Sequence, residues 1–237
     1  MSRRRRREGD AAIDNEAARE ALVRSLRASN ISDERVLAVF AGVPRERFVP
    51  PQLWPYAYED RPLPIGHGQT ISQPLMVAIM TQALALRGGE NVLEIGTGSG
   101  YQAALLSKLA RDVVSVERVP ELAQSAQQRL SEAGCHNVRV LVAGDALGWP
   151  AEAPYDAIIV TAGAPEVPQS LIDQLAPGGR LVVPVGTRRL QQLVRAIKAD
   201  HGVTIERMGE CRFVPLIGPR EGWPEWEVSE NGARPLR

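Results

Sequence analysis

Cysteine is scarce in this chain of 237 residues. There are 2, Cys135 and Cys211, 76 positions apart. They form no CxxC pair and neighbour no histidine cluster, which excludes a disulfide framework and leaves no zinc motif; no metal ligand set is expected. Both read as buried or half-buried thiols in a reducing compartment. No apolar run approaches the ~18 residues of a membrane-spanning helix. The start, Met1-Ser2 followed by Arg3 to Arg7, runs into Glu8-Gly9-Asp10 and not into an apolar stretch, so no secretion signal is expected. The chain is read as cytoplasmic. An excess of either charge is also missing: Lys+Arg and Asp+Glu are both 28. A neutral molecule is not drawn onto nucleic acid or anionic lipid by its overall field. Lysine is nearly absent, with only Lys108 and Lys198, a bias with no functional reading.

What is present is ordinary globular composition, 44% hydrophobic and 24% charged. The length fits one α/β domain with an appendage or two small domains, and a chain of this size buries roughly 70% of its unfolded surface without a staple. From Ala11 to about Ala41 the pattern is helical, with Ser32 placed to cap the second of two helices. Prolines 44, 50, 51, 55, 62 and 64 then break regular structure up to Ile65. From Asn91 onward apolar runs alternate with amphipathic stretches. Strands are expected at Asn91–Ile95, Val113–Glu117, Val138–Val142, Ala157–Thr161 and Arg180–Val185. Helices are expected at Tyr101–Ala110, Pro120–Ala133 and Pro168–Leu175. Alternation of this kind predicts a doubly wound parallel sheet. Three further strands, Gln192–Ala199, Val203–Met208 and Cys211–Ile217, predict an antiparallel C-terminal edge.

The first strand runs straight into Gly96-Thr97-Gly98-Ser99-Gly100 and then a helix. Glycines there let the backbone turn tightly and approach a ligand at the helix N-terminus. The spacing is GxGxG; the dinucleotide fingerprint places its third glycine one residue later, for a pyrophosphate. The shorter form, with an acidic residue (Glu94) two before the first glycine, is the one used by adenosylmethionine-dependent methyltransferases. Glu117 closes the second strand, where a carboxylate can accept from both ribose hydroxyls. Gly144-Asp145-Ala146 follows the third strand, where an aspartate can accept from an adenine amino group or simply make a turn. Three consecutive strand ends thus each offer one nucleotide-binding element.

These residues, with several longer blocks, resemble the protein-L-isoaspartate O-methyltransferase family over about Ile31 to Trp223. The glycine turn is shared by many methyltransferases. More specific are Pro64-Ile65-Gly66-His67-Gly68-Gln69-Thr70-Ile71-Ser72-Gln73-Pro74 and Arg212-Phe213-Val214-Pro215-Leu216. The resemblance implies a Rossmann-like fold, mostly parallel with an antiparallel edge, plus N-terminal helices. It implies S-adenosyl-L-methionine as cofactor, S-adenosyl-L-homocysteine as product, and isoaspartyl proteins and peptides as substrates. It makes Ser72 the catalytic serine, with Thr70, Ile71, Ser72, Glu94, Gly96, Gly98, Gly100, Glu117, Asp145 and Ala146 at the cofactor. From local pattern alone Ser72 or Gln73 is a helix N-cap ahead of Pro74, and both roles can hold. Many members carry glycine where this chain has Ala146, which strains the turn if φ there is positive. Ile217 and Gly222 stand where some members place polar residues, so no role is carried onto them. The expected division is a disordered basic tail over 1–10, N-terminal helices and connector over 11–90, the cofactor-binding domain over 91–223, and a C-terminal tail over 224–237.

The implied reaction is methyl transfer to the α-carboxylate of an isoaspartyl residue, the first step of protein repair, after which the ester cyclises to a succinimide unaided. A peptide carboxyl is ionised near pH 7 and needs no general base, and the serine would orient it by a hydrogen bond. His67, between two glycines, reads either as a base or as a loop imidazole. Trp54, Tyr56 and Tyr58 are either a cover over the site or core. The chain is expected to act as a monomer with no nucleic-acid or membrane partner. Two other functions compete: a methyltransferase of RNA or a small molecule, supported only by Arg3–Arg7, and a binding protein that kept the cofactor pocket.

Overall fold

The computed structural model describes residues 2–218 and 221–225, with 2–14 as backbone only. In chain order the elements are α1 (Ser2–Ala28), α2 (Glu34–Gly42), two 3-10 turns (Arg45–Phe48 and Pro51–Tyr56), β1 (Leu63–Gly66), β2 (Gln69–Ile71), α3 (Pro74–Ala83), β3 (Asn91–Ile95), α4 (Tyr101–Ser107), β4 (Asp112–Glu117), α5 (Pro120–Glu132), β5 (Val138–Val142), β6 (Tyr155–Val160), α6 (Gln169–Asp173), β7 (Leu175–Gly186), β8 (Gln191–Ala199) and β9 (Gly202–Cys211). No helix among the described residues is long and apolar enough to cross a membrane.

Helical backbone covers the arginine run, Arg3 to Arg7. Arginine, glutamate and alanine are good helix formers, and no proline interrupts them. The helix ends where Asn30 turns left-handed (φ 67°) and the Ile31 N–H reaches back to Leu26 O at 3.1 Å. That backward bond lets the buried Ile31 side chain seal the end. Asp33, not Ser32, caps α2: its Oδ1 accepts from Arg35 N at 2.9 Å and Val36 N at 3.4 Å. The Ser32 and Asp33 amides instead bond Gln82 Oε1, tying α2 to α3.

The main sheet has seven strands in the order β5-β4-β3-β6-β7-β8-β9. The first five are parallel; β8 and β9 are antiparallel to their neighbours. Alternate residues feed two separate cores, as period-2 pleating requires. Val92, Ala157, Ile159 and Val182 join the residues of α1 to α4 on one face. Leu93, Ile158, Val160 and Leu181 join Leu171 and Ile172 of α6 on the other. Both faces are therefore covered, which explains why the inner strands read as unbroken apolar runs.

Two details depart from the sequence reading. Pro64 does not break the connector before Ile65; it lies in β1, which pairs with β2 as a hairpin. Proline is tolerated because this two-stranded ribbon has free edges. The segment after Cys211 is not a strand. It makes single bridges, Pro215 to Gly163 and Ile217 to Trp223, before the described residues end.

Candidate functional site

Strand order reverses between β3 and β6, and ligands in such sheets bind at the carboxyl ends of the strands flanking that point. A cavity of about 450 Å³ lies there. Its floor is the turn after β3. Gly96, Gly98 and Gly100 all have positive φ (94°, 53° and 90°), which a side-chain-bearing residue adopts only under strain. Gly96 has a second reason to lack a side chain: a Cβ there would meet Thr161 Oγ1 at 2.4 Å. Gly100 caps α4 without lining the cavity, and a Cβ on it would press Ala126 of α5 at 3.3 Å. Its role is helix packing.

Glu117 ends β4 at the cavity wall and is 7% exposed. Its Oε2 accepts from Gly98 N at 2.8 Å and its Oε1 from Val119 N at 2.9 Å. The carboxylate is thereby fixed against the glycine turn, and each oxygen keeps a lone pair for a ligand hydroxyl. Past β5, Gly144 and Ala146 line the cavity, whereas Asp145 is exposed and lies outside the lining. Ala146 is not among the residues with positive φ, so its methyl group strains nothing.

Glu94 is not on the cavity. It lies beneath the turn, wholly buried, with Ser115 Oγ donating to its Oε2 at 2.5 Å and Thr97 Oγ1 bonding Ser115 Oγ at 2.5 Å. Its other oxygen, Oε1, has no partner among the described residues. Burial pushes its pKa up to about 8; the Ser115 bond opposes that shift and the Glu117 charge adds to it. Glu94 thus supports the loop from below through a hydroxyl relay.

Ile71 and Ser72 line a second, smaller cavity of about 40 Å³. Thr70, Gly96, Gly98 and Thr161 line both, so the two cavities are neighbours across these residues. The Ser72 hydroxyl makes no hydrogen bond to the described residues and does not cap α3. Gln73 occupies the cap position without a side-chain bond, and Asp60 Oδ1 accepts from Leu75 N at 2.8 Å. His67 is exposed at the hairpin tip with φ 53° and lines neither cavity. Trp54 and Tyr56 are 44% and 43% exposed and are neither core nor lining. Tyr58 is half-buried and donates to Glu46 Oε2 at 2.5 Å.

Sequence reasoning gave no role to several wall residues. Thr161 follows β6, and the strand-reversal rule places that position opposite the glycine turn. Arg118 follows Glu117 and bonds Glu225 Oε1 at 3.0 Å across the wall. Ile217, to which no role was carried, lines the cavity with Pro224 and Glu225. The cavity-bearing unit therefore runs past residue 223, and the rest of the expected tail, from 226, lies outside the described residues.

A family model described as Protein-L-isoaspartate(D-aspartate) O-methyltransferase (PCMT) matches residues 17–221. A protein-L-isoaspartate O-methyltransferase of Methanoculleus marisnigri is 57% identical over 204 residues, 86% of this chain and 92% of its own. One from Rhodopseudomonas palustris is 49% identical over 229 residues, 95% and 93% of the two chains. Among solved structures, a protein-L-isoaspartate O-methyltransferase superposes with TM-score 0.76 at 34% identity, covering 86% of this chain and 67% of its own. A candidate member from Plasmodium falciparum, in complex with S-adenosyl-L-homocysteine, gives 0.71 at 25% identity, covering 82% and 95%.

Proposed function

The chain belongs to the protein-L-isoaspartate(D-aspartate) O-methyltransferase family, and we propose that its two adjacent cavities divide the reaction between cofactor and acceptor. The large cavity holds S-adenosyl-L-methionine, and the small one receives the α-carboxylate of an isoaspartyl residue in a damaged protein. The observation that carries this reading is a pair of adjacent cavities, one with Glu117 in its lining and the other with Ser72, that share Gly96 and Gly98.

The residues fit the cofactor. Glu117 offers two fixed oxygens to the ribose hydroxyls. Gly96 and Gly98 line the cavity and present no side chain to the ligand. Ala146 and Leu147 supply an uncharged wall for the base. Asp145 lies between two wall residues, Gly144 and Ala146, and is itself outside the lining. When bound, S-adenosyl-L-methionine supplies a methyl group activated by a sulfonium.

The protein's own part is placement. The acceptor carboxylate is ionised near pH 7, so no residue need remove a proton. Ser72 donates one neutral hydrogen bond that orients the carboxylate without quenching its nucleophilicity. Ile71, Val77 and Phe213 wall the acceptor end with apolar surface and exclude water. Placement of this kind is worth several kcal/mol, on the order of 7 where reactants are fully aligned. We take the enzyme to act as a cytoplasmic monomer without a nucleic-acid partner, in keeping with its zero net charge.

The test is transfer of labelled methyl to an isoaspartyl peptide beside its aspartyl twin. Base-labile label on the isoaspartyl peptide alone is expected; equal labelling of both, or none, refutes the reading.

A further inference from the structure

Arg45 is the least expected residue in the fold. It is 0% exposed, yet no carboxylate among the described residues forms an ion pair with it. Burial lowers its pKa to about 10, with partial compensation from Tyr101, Asp60 and Tyr58, so it stays cationic at neutral pH. A buried guanidinium with no ion pair carries a large desolvation penalty. What it does make are two carbonyl bonds from one rigid fork. Nε donates to Ala57 O at 2.8 Å and Nη2 to Ser72 O at 2.7 Å. Its Cζ lies over the Tyr101 ring, 4.9 Å from the centroid, and Nη1 has no hydrogen-bond partner among the described residues.

These contacts meet at the acceptor end of the site. Tyr101 is the first residue of α4, directly after the glycine turn, and lines the small cavity with Ser72. Ala57 belongs to the segment that leads to Asp60, whose carboxylate caps α3 two residues past Gln73. Ser72 itself sits between the end of β2 and the start of α3, with its hydroxyl free of both. Its direction is therefore set by its backbone, and the guanidinium grips that backbone. Lysine offers its donors from a single nitrogen on a flexible stem and lacks the rigid fork that fixes the two carbonyls relative to each other.

We propose that Arg45 is a positioning residue for methyl transfer: by clamping the Ala57 and Ser72 carbonyls it aims the Ser72 hydroxyl into the acceptor cavity. This rests on the reading of Ser72 given above. Because the clamp acts on the acceptor end, it leaves the Glu117 end of the large cavity untouched.

The experiment is a double-variant cycle in the full chain, comparing Arg45→Lys, Ser72→Ala and the pair. Three quantities are read: kcat/KM for an isoaspartyl peptide, S-adenosyl-L-homocysteine affinity, and Tm. Arg45→Lys is expected to lower kcat/KM by roughly tenfold or more, with cofactor affinity within about twofold of the parent. In the Ser72→Ala background it is expected to cause no further loss, because the hydroxyl it aims is gone. Losses that multiply in the pair, or cofactor affinity falling in step with activity, overturn the proposal and leave Arg45 a purely structural residue. If Arg45→Lys does not fold, Arg45→Gln, neutral and still able to bond one carbonyl, replaces it in the cycle; failure of both to fold also overturns the proposal. A parent enzyme inactive on the peptide would instead refute the reading of the site, a different result from any of these.

Discussion

The Thr161 hydroxyl stands where a side chain on Gly96 would begin. It donates to Gly96 O at 2.6 Å and lies 3.0 Å from Ile95 O, and a Cβ on Gly96 would come within 2.4 Å of it. The end of β6 thereby clasps the turn after β3 at the point where the sheet reverses. Gly96→Ala is expected to cost on the order of 2 kcal/mol or more, from the clash together with φ of 94°. Adding Thr161→Ala removes the clash but not the backbone strain. The double variant should recover part of the lost Tm and little of the lost S-adenosyl-L-homocysteine binding. Thermal melts and calorimetry on both variants check this; full recovery of binding would show that the strain is immaterial.

Glu117 holds the other side of that turn, with one oxygen on Gly98 N and one on Val119 N. Glu117→Ala should weaken S-adenosyl-L-homocysteine binding by about 1–3 kcal/mol, since it removes a charged acceptor and frees the turn. Glu117→Gln should also weaken it, because an amide nitrogen cannot accept from either backbone N–H. Titration calorimetry with unchanged affinity in both variants would refute the ribose role.

Much of this was legible in the chain. The alternation of apolar runs with helical stretches placed β3 through β7 to within a few residues at most boundaries, because buried parallel strands must be apolar on both faces. The glycine turn and Glu117 were legible because their chemistry is local. Positions fixed by distant partners were not. Ser32 and Asp33 are both good caps, and a bond from the Ser32 amide to Gln82, fifty residues away, helps settle which one acts. Glu94 sits two residues before Gly96 in the sequence, yet strand alternation turns it beneath the turn toward Ser115. Arg45 shows no sign in the sequence of being buried.

Asp60 takes the capping role that local sequence offers to Ser72 or Gln73. The helix-start bond is made by Asp60, so Ser72→Ala is expected to leave Tm nearly unchanged while lowering kcat on isoaspartyl peptide. Asp60→Ala leaves Leu75 N unpaired and should cost about 1 kcal/mol. In a chain of this size that is a fall of about 2–4 °C in Tm. Full activity in Ser72→Ala would end its catalytic assignment, and a drop in Tm there would restore the capping one.

Glu94 gives the sharpest dependence on pH. In the folded chain its carboxyl holds its proton up to about pH 8, against an ordinary value of 4.5, chiefly because burial penalises the charge. Between those values the folded state binds more protons than the unfolded state, so stability falls as pH rises, by at most about 1.4 kcal/mol per pH unit from this one group. The contribution is fully present below the unfolded value and is lost as pH climbs through the folded one. Glu94→Gln keeps the shape of the neutral acid and cannot ionise. The Tm difference, variant minus parent, should therefore rise from pH 5 to about pH 8 and level off above it. Parallel Tm curves for the two proteins over that range would show that Glu94 is already ionised in the folded state. The same variant keeps an oxygen to accept from Ser115 Oγ, so S-adenosyl-L-homocysteine affinity at pH 6 should stay close to that of the parent. A large loss of affinity there would mean that the charge itself, and not the hydroxyl relay through Ser115 and Thr97, holds the glycine turn in place.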